Sequence, residues 1–149
     1  MCSSDLKLTG PIPVELGNLN LYRLNLELNQ LSGNIPSELS NLINLVNLDL
    51  ESNLLSGAIP ASLGNLGRLI ELDLHNNQLS GPLPATVNGW LALEKLNVTN
   101  NQLGGNLPVE LGELTNLKSL NISFNNFDGS IPEKLLQIKG LEVSYIHAN

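Results

Sequence analysis

One column of residues constrains this chain more than anything else in it: asparagines at Asn29, Asn53, Asn77, Asn101, Asn125 and Asn149, each 24 residues after the last. A constant interval of that length calls for a solenoid in which every period lays down one coil. The same frame surrounds each asparagine, as in Leu69-x-x-Leu72-x-Leu74-x-x-Asn77-x-Leu79-x-Gly81-x-Leu83-Pro84. A glycine column (Gly10, Gly33, Gly57, Gly81, Gly105, Gly129) and a proline column (Pro13, Pro36, Pro60, Pro84, Pro108, Pro132) keep step with it.

Elementary chemistry gives each column a job. In Leu-x-x-Leu-x-Leu the last two leucines have period two, so both point to one face of a short strand while the residues between them face solvent. Stacked coils then build a parallel sheet of about six short strands, one per period. A buried asparagine after each strand both donates and accepts, so a ladder of them satisfies the backbone groups freed where the chain turns, which an aspartate could not do. Glycine lets the backbone turn without a Cβ penalty, and Ile-Pro or Leu-Pro fixes an extended segment leading to the outer side of the coil. A single coil cannot bury enough apolar surface to offset its ordering entropy, so stability must come from stacking.

From about Leu6 to Asn149 this frame resembles the plant-type leucine-rich repeat. Four complete coils begin at Leu45, Leu69, Leu93 and Leu117, a shortened one at Leu21 and a final partial one at Leu141. The resemblance implies an α/β solenoid: a horseshoe segment with a parallel concave β-sheet and a 3-10 or irregular convex side. It also implies a single leucine-rich-repeat domain over residues 1–149, extracellular or at the cell surface. Secreted members of the family usually carry cysteine pairs at their capped ends. Here Cys2 is the one cysteine, so the chain reads as a segment of a longer solenoid without its caps. Met1–Leu6 is also what a common sequencing-adapter tail encodes, which marks residues 1–5 as non-native; the other reading is a true start with Cys2 an incidental thiol.

Two irregularities interrupt the period. Gly10 to Gly33 spans 23 residues, one fewer than later intervals, and the deletion falls between Leu19 and Asn20. At the far end Ser144 stands where the unbroken period wants leucine, whereas a register through Ile138, Leu141 and Val143 fills the apolar sites but breaks the interval. The unbroken period is the expectation.

Composition bounds the partners. A formal charge of −7 argues against nucleic acid, whose phosphates demand basic surface. No stretch approaches 18 uninterrupted apolar residues, so no membrane contact is expected within this segment. At 42% apolar and 3% aromatic, the core is leucine instead of rings.

Function in a solenoid falls to the positions that the repeat leaves free. On the concave face these include Arg23, Glu27, Asp49, Glu51, Glu71, Asp73, His75, Lys95, Asn97, Phe124 and Tyr145. Glu27, Asp49, Glu51, Glu71 and Asp73 form an acidic half on adjacent strands, where a cationic partner would relieve like-charge repulsion; a solvated face of an acidic protein is the plainer account. Phe124, Val143 and Tyr145 are apolar groups that the frame leaves facing solvent, either as partner anchors or as contacts to further coils.

Catalysis is not expected. Ser52, Asp73 and His75 superficially resemble an acid, base and nucleophile set, yet an open sheet supplies no pocket, oxyanion donors or water exclusion. Asp49, Glu51, Asp73 and His75 are a geometrically conceivable metal set without a spacing signature, so no metal or cofactor is assigned. Trp90 shares its column with Leu42, Leu66 and Leu114 and is read as core. Asn97-Val98-Thr99 and Asn121-Ile122-Ser123 are glycosylation sequons on the concave face, at a frequency that an Asn- and Ser-rich composition yields by chance. The expected function is a protein or peptide recognition scaffold working through its concave or lateral surface, as in plant-type receptor kinases, receptor-like proteins and secreted polygalacturonase-inhibitor-type proteins. The alternative is an assembly subunit packed through its solenoid ends or edge.

Overall fold

The computed structural model of the chain describes residues 7–144. In chain order the strands are β1 (Thr9–Pro11), β2 (Arg23–Asn25), β3 (Gln30–Asn34), β4 (Asn47–Asp49), β5 (Leu54–Gly57), β6 (Glu71–Asp73), β7 (Gln78–Gly81), β8 (Lys95–Asn97), β9 (Gln102–Asn106), β10 (Ser119–Asn121), β11 (Asn126–Asp128) and β12 (Glu142–Ser144). Even-numbered strands form one six-stranded parallel sheet and odd-numbered strands a second. The first is the sheet that the leucine pattern predicts. The second was not expected, and it runs through the segment between the asparagine and the proline of each coil.

The even sheet keeps the 24-residue register, with Leu24, Leu48, Leu72, Leu96 and Leu120 side by side. These leucines and their partners two residues on, such as Leu50 and Leu74, lie in one continuous core. After each proline a five-residue 3-10 turn closes the coil, as at Ser37–Asn41 and Ala61–Asn65. Its i to i+3 bonds run from Leu39 N to Pro36 O at 3.2 Å and from Leu63 N to Pro60 O at 3.0 Å. Proline suits the position before such a turn because its φ is already fixed. In the last coil a short α-helix, α1 (Glu133–Leu136), replaces the 3-10 turn.

The asparagine column behaves as its chemistry requires. Asn53 Nδ2 donates to the carbonyls of Leu26, Leu50 and Glu51 at 2.9, 3.2 and 3.0 Å, while its Oδ1 accepts from Leu31 N at 3.0 Å. Asn77 and Asn101 repeat the pattern one and two coils on. Asn125 does the same against Val98, Ile122, Ser123 and Leu103. Asn29 opens the ladder by accepting from Leu8 N. Asn149 lies outside the described residues.

The deletion before Asn20 leaves a local mark. Leu42, Leu66, Trp90 and Leu114, which follow the later 3-10 turns, have ψ between 54° and 69°. Leu19 follows the first with ψ 165°, an extended exit that spans the gap with one residue fewer. At the far end the unbroken period does not hold. Val143, not Ser144, stands opposite Leu120. Ile138, Leu141 and Val143 pack against the core, so burying an apolar side chain outweighs conserving the interval.

Candidate functional site

The exposed side of the even sheet is a grid of side chains. Its middle column, Asn25, Asp49, Asp73, Asn97 and Asn121, follows the strand ladders. Because successive strand residues point to opposite faces, the flanking columns are Arg23, Asn47, Glu71, Lys95 and Ser119 on one side and Glu27, Glu51, His75, Thr99 and Ser123 on the other. A shallow depression on this face is lined by Asn47, Asp49, Glu71, Asp73, Lys95, Asn97, Ser119 and Asn121. The structure thus brings together most of the residues that the sequence singled out. Val143 is the correction: it packs inward against the core instead of facing solvent. Tyr145 lies outside the described residues.

Charges on the grid sort into two zones. Glu71 is the hub of the first: Asn47 Nδ2 donates to its Oε2 at 2.8 Å and Lys95 Nζ to its Oε1 at 2.5 Å. The bond from Lys95 holds the Glu71 carboxyl below its usual range, and the same bond raises the Lys95 ammonium. The second zone is acidic. His75 Nδ1 lies 2.6 Å from Asp73 Oδ1 and 3.2 Å from Glu51 Oε2. Asn97 Nδ2 donates to Asp73 Oδ2 at 3.1 Å. Burial pushes the Asp49 carboxyl up to about 6, helped by its neighbours Asp73, Glu27 and Glu51, against a lowering backbone bond from Glu51 N. Among the described residues no lysine or arginine forms an ion pair with Glu27, Asp49, Glu51 or Asp73.

Two groups have ligand atoms close enough to share an ion: Glu51, Asp73 and His75, and Glu27, Asp49 and Glu51, each set within 4.8 Å. The Ser52 hydroxyl, 3.4 Å from Asn76 Nδ2, is engaged with the amide of the next coil. In the two sequons, Asn97 is tied to Asp73, and Ser123 is buried with its hydroxyl 3.0 Å from the Ser144 carbonyl oxygen. Thr99 Oγ1 is shielded from solvent without a hydrogen-bond partner.

Two features escaped the sequence. Leu28, Ser52, Asn76, Asn100 and Phe124, one per coil just before each ladder asparagine, all have positive φ, between 52° and 55°. The column is visible in the sequence, but only its two asparagines hint at a left-handed backbone. Beside the grid, exposed Tyr22 and Ile70 flank the half-buried Val46 in an apolar stripe at the 24-residue interval, before Glu94 and Lys118 replace it with an ion pair at 2.7 Å. Trp90, by contrast, is core as expected, fully buried with Nε1 donating to Leu63 O at 2.7 Å.

Comparison with known proteins fits this architecture. The chain resembles the LRR ectodomain of the plant membrane receptor kinase GASSHO1/SCHENGEN3 from Arabidopsis thaliana, solved in complex with CASPARIAN STRIP INTEGRITY FACTOR 2. Identity is 43% and the TM-score 0.89, over 92% of this chain and 17% of that one. It also resembles the PEPR1–AtPEP1 structure, at 37% identity and TM-score 0.90 over 97% and 21% of the two chains. A third is the Arabidopsis receptor kinase HAESA ectodomain bound to an N-terminally extended IDA peptide hormone, at 37% identity and TM-score 0.87 over 96% and 25%. The chain therefore spans a quarter or less of the length of these three proteins' solved chains. No curated protein sequence matches it. The Leucine Rich Repeat family matches at residues 20–42, 44–66, 68–90, 92–114 and 116–138, and the chain belongs to that family.

Proposed function

We propose that the chain is a recognition scaffold that binds a peptide or protein segment, cationic in character, across the exposed side of its even sheet. The observation that carries this reading is the acidic corner: Glu27, Asp49 and Glu51 converge within 4.8 Å, and no lysine or arginine pairs with them among the described residues. Like charges at that spacing repel, and a partner's guanidinium or ammonium would convert the repulsion into attraction. The scaffold stacks coil on coil around a single core, so little ordering entropy is lost on binding. Two ectodomains that resemble this chain were solved with a named factor and with a peptide hormone ligand, which supports the same class of partner and an extracellular setting here. Arg23, Glu27, Asp49, Glu51, Glu71, Asp73, His75, Lys95, Asn97 and Phe124 are the proposed contacts. No bond-making chemistry is needed for this role.

The test is a triple charge reversal, Asp49→Lys, Glu51→Lys and Asp73→Lys, probed with a random peptide library. Loss of basic peptides with an unchanged far-UV spectrum supports the reading, and unchanged capture refutes it. A second reading, an assembly subunit, is favoured by the stripe of Tyr22, Val46 and Ile70, with Leu19 and Ile43 also exposed. Tyr22→Ser with Ile70→Ser, followed by sedimentation, separates the two.

A further inference from the structure

The five positive-φ residues line one rim of the grid, and they are not chemically alike. Asn76 and Asn100 suit a left-handed backbone, since a short amide side chain bonds locally and tolerates it. They also join hands: Asn100 Nδ2 donates to Asn76 Oδ1 at 2.8 Å, and Asn76 Nδ2 reaches Ser52 Oγ at 3.4 Å. The two ends of the rim are Leu28 and Phe124, with φ of 55° and 53°. Bulky residues at positive φ are rare and strained. Neither is compensated by burial, for Leu28 is 53% and Phe124 48% exposed. Asparagine would serve the fold better at both positions, as it does at the two between them.

We infer that Leu28 and Phe124 are ligand anchors, two apolar posts at the ends of an amide rail that together select an extended peptide with apolar residues six positions apart. This rests on the recognition role proposed above and adds the spacing. Four strand intervals of about 4.8 Å separate the posts by about 19 Å. An extended chain rises about 3.3 Å per residue, so roughly six residues cover that distance. An even number returns the side chain to the same face, which lets both apolar groups point down at the rim. Charge sets the middle. Glu27 is next to Leu28 in sequence and Glu51 is one coil on, so a basic residue two places from the Leu28-bound end lies over the acidic corner. The amides of Asn76 and Asn100 face the backbone beyond it. The occupant is therefore a heptapeptide segment of the form apolar, any, basic, any, any, any, apolar.

The probe is a pair of fluorescein-labelled heptapeptides on the 149-residue chain, Leu-Ser-Arg-Ser-Gly-Ser-Leu and its reversed sequence, so that both chain directions are sampled. Controls carry Glu for Arg, or shorten the apolar interval from six to five. At least one peptide is expected to bind about tenfold or more tighter than its controls. Leu28→Asn and Phe124→Asn are each expected to weaken it about tenfold while raising the melting temperature by roughly 2–5 °C. That opposition distinguishes an anchor from a structural residue, whose loss would lower both. If library peptides bind and the triple charge reversal abolishes them, yet both asparagine variants bind equally well, the anchors are wrong and the recognition role stands. If neither heptapeptide nor library binds, both readings fall. A melting temperature that drops in both variants overturns the strain argument.

Discussion

Asp49 lies directly across the β4–β6 ladder from Asp73, close enough on the exposed side of the even sheet for each carboxylate to feel the other. Burial first, then Asp73 and its other acidic neighbours, raise the Asp49 carboxyl to about 6 from 3.8. The folded state therefore binds this proton more tightly than the unfolded chain does. Stability from this source is fully present below the unfolded value and is lost as pH rises through about 6. Glu71, whose pKa is lowered, contributes in the opposite sense only near and below 4.5 and so falls outside the interval from pH 5 to pH 7, where comparison with a variant at Asp49 is what assigns the effect. Since Asp49 is only partly buried, its cost at neutral pH is discounted to about 1 kcal/mol. Asp49→Asn keeps the acceptor for Glu51 N and copies Asn25 and Asn97 in the same column. At pH 7 it is expected to stabilise the chain by about that amount. Urea titrations at pH 5 and pH 7 check this: the native chain should be less stable at the higher pH, and the variant should show a smaller difference. An equal difference in both would place the effect elsewhere.

The asparagine ladder gives a sharper contrast within one residue type. Asn53 Nδ2 serves three carbonyls from a nearly sealed position. Asn53→Asp removes both N–H donors that serve these carbonyls and directs a carboxylate at the same oxygens. The cost expected is about 3 kcal/mol or more. Asn76→Asp, in the exposed rim column, tolerates the positive φ equally well and is expected to change stability by less than about 0.5 kcal/mol. Equal losses in the two variants, read by chemical denaturation, would contradict the distinction.

Glycines between coils admit a similar comparison. A Cβ at Gly89 would sit 1.9 Å from Gly64 O, which is backbone and cannot swing aside, whereas at Gly67 the nearest atom is Gly89 O at 3.5 Å, ordinary contact. Gly89→Ala must therefore push two coils apart, at roughly 3 kcal/mol, and Gly67→Ala is expected to be neutral or stabilising by up to about 1 kcal/mol. Melting of the two variants side by side decides it, and a tolerated Gly89→Ala would mean that the coils are looser than their spacing implies.

These residues also show where the sequence was readable. The leucines, the asparagines and Trp90 repeat in register, and each has a burial or hydrogen-bonding need that one residue type meets, so column and role could be inferred together. The sheet of odd-numbered strands was opaque for the converse reason. A strand such as Gln30–Asn34 has a single buried apolar residue, Leu31, followed by Ser32 and Gly33, so it lacks the alternation that announces a strand. Its partners come from neighbouring coils through backbone bonds, which leave no trace in side-chain pattern. Val143 was misread because its coil trades the interval for burial. The acidic corner was legible as a cluster of positions. The raised Asp49 and the geometry around His75 depend on rotamers and burial, which no spacing encodes.

Trp90 offers the last test, because the column that revealed it also hides a compensation. Leu39, Leu63, Leu111 and Leu135 are buried at one position of their coils, and Val87 holds that position in the coil of Trp90. That coil thus sets a tryptophan near a valine where its neighbours have leucine at both positions, with the indole reaching back to Leu63 O in the preceding coil. Trp90→Leu restores the residue found in neighbouring coils and still leaves a cavity, so it is expected to cost about 3 kcal/mol. The Leu63 carbonyl keeps its bond from Leu66 N at 3.0 Å, so the loss is one of volume more than of an orphaned acceptor. Adding Val87→Leu to Trp90→Leu makes the coil match its neighbours at both positions. The double variant is expected to recover about 1 kcal/mol, although Val87→Leu alone, crowded by the indole, should destabilise. A double-mutant cycle from urea denaturation measures this coupling directly, and additive losses would show that the two side chains are accommodated independently.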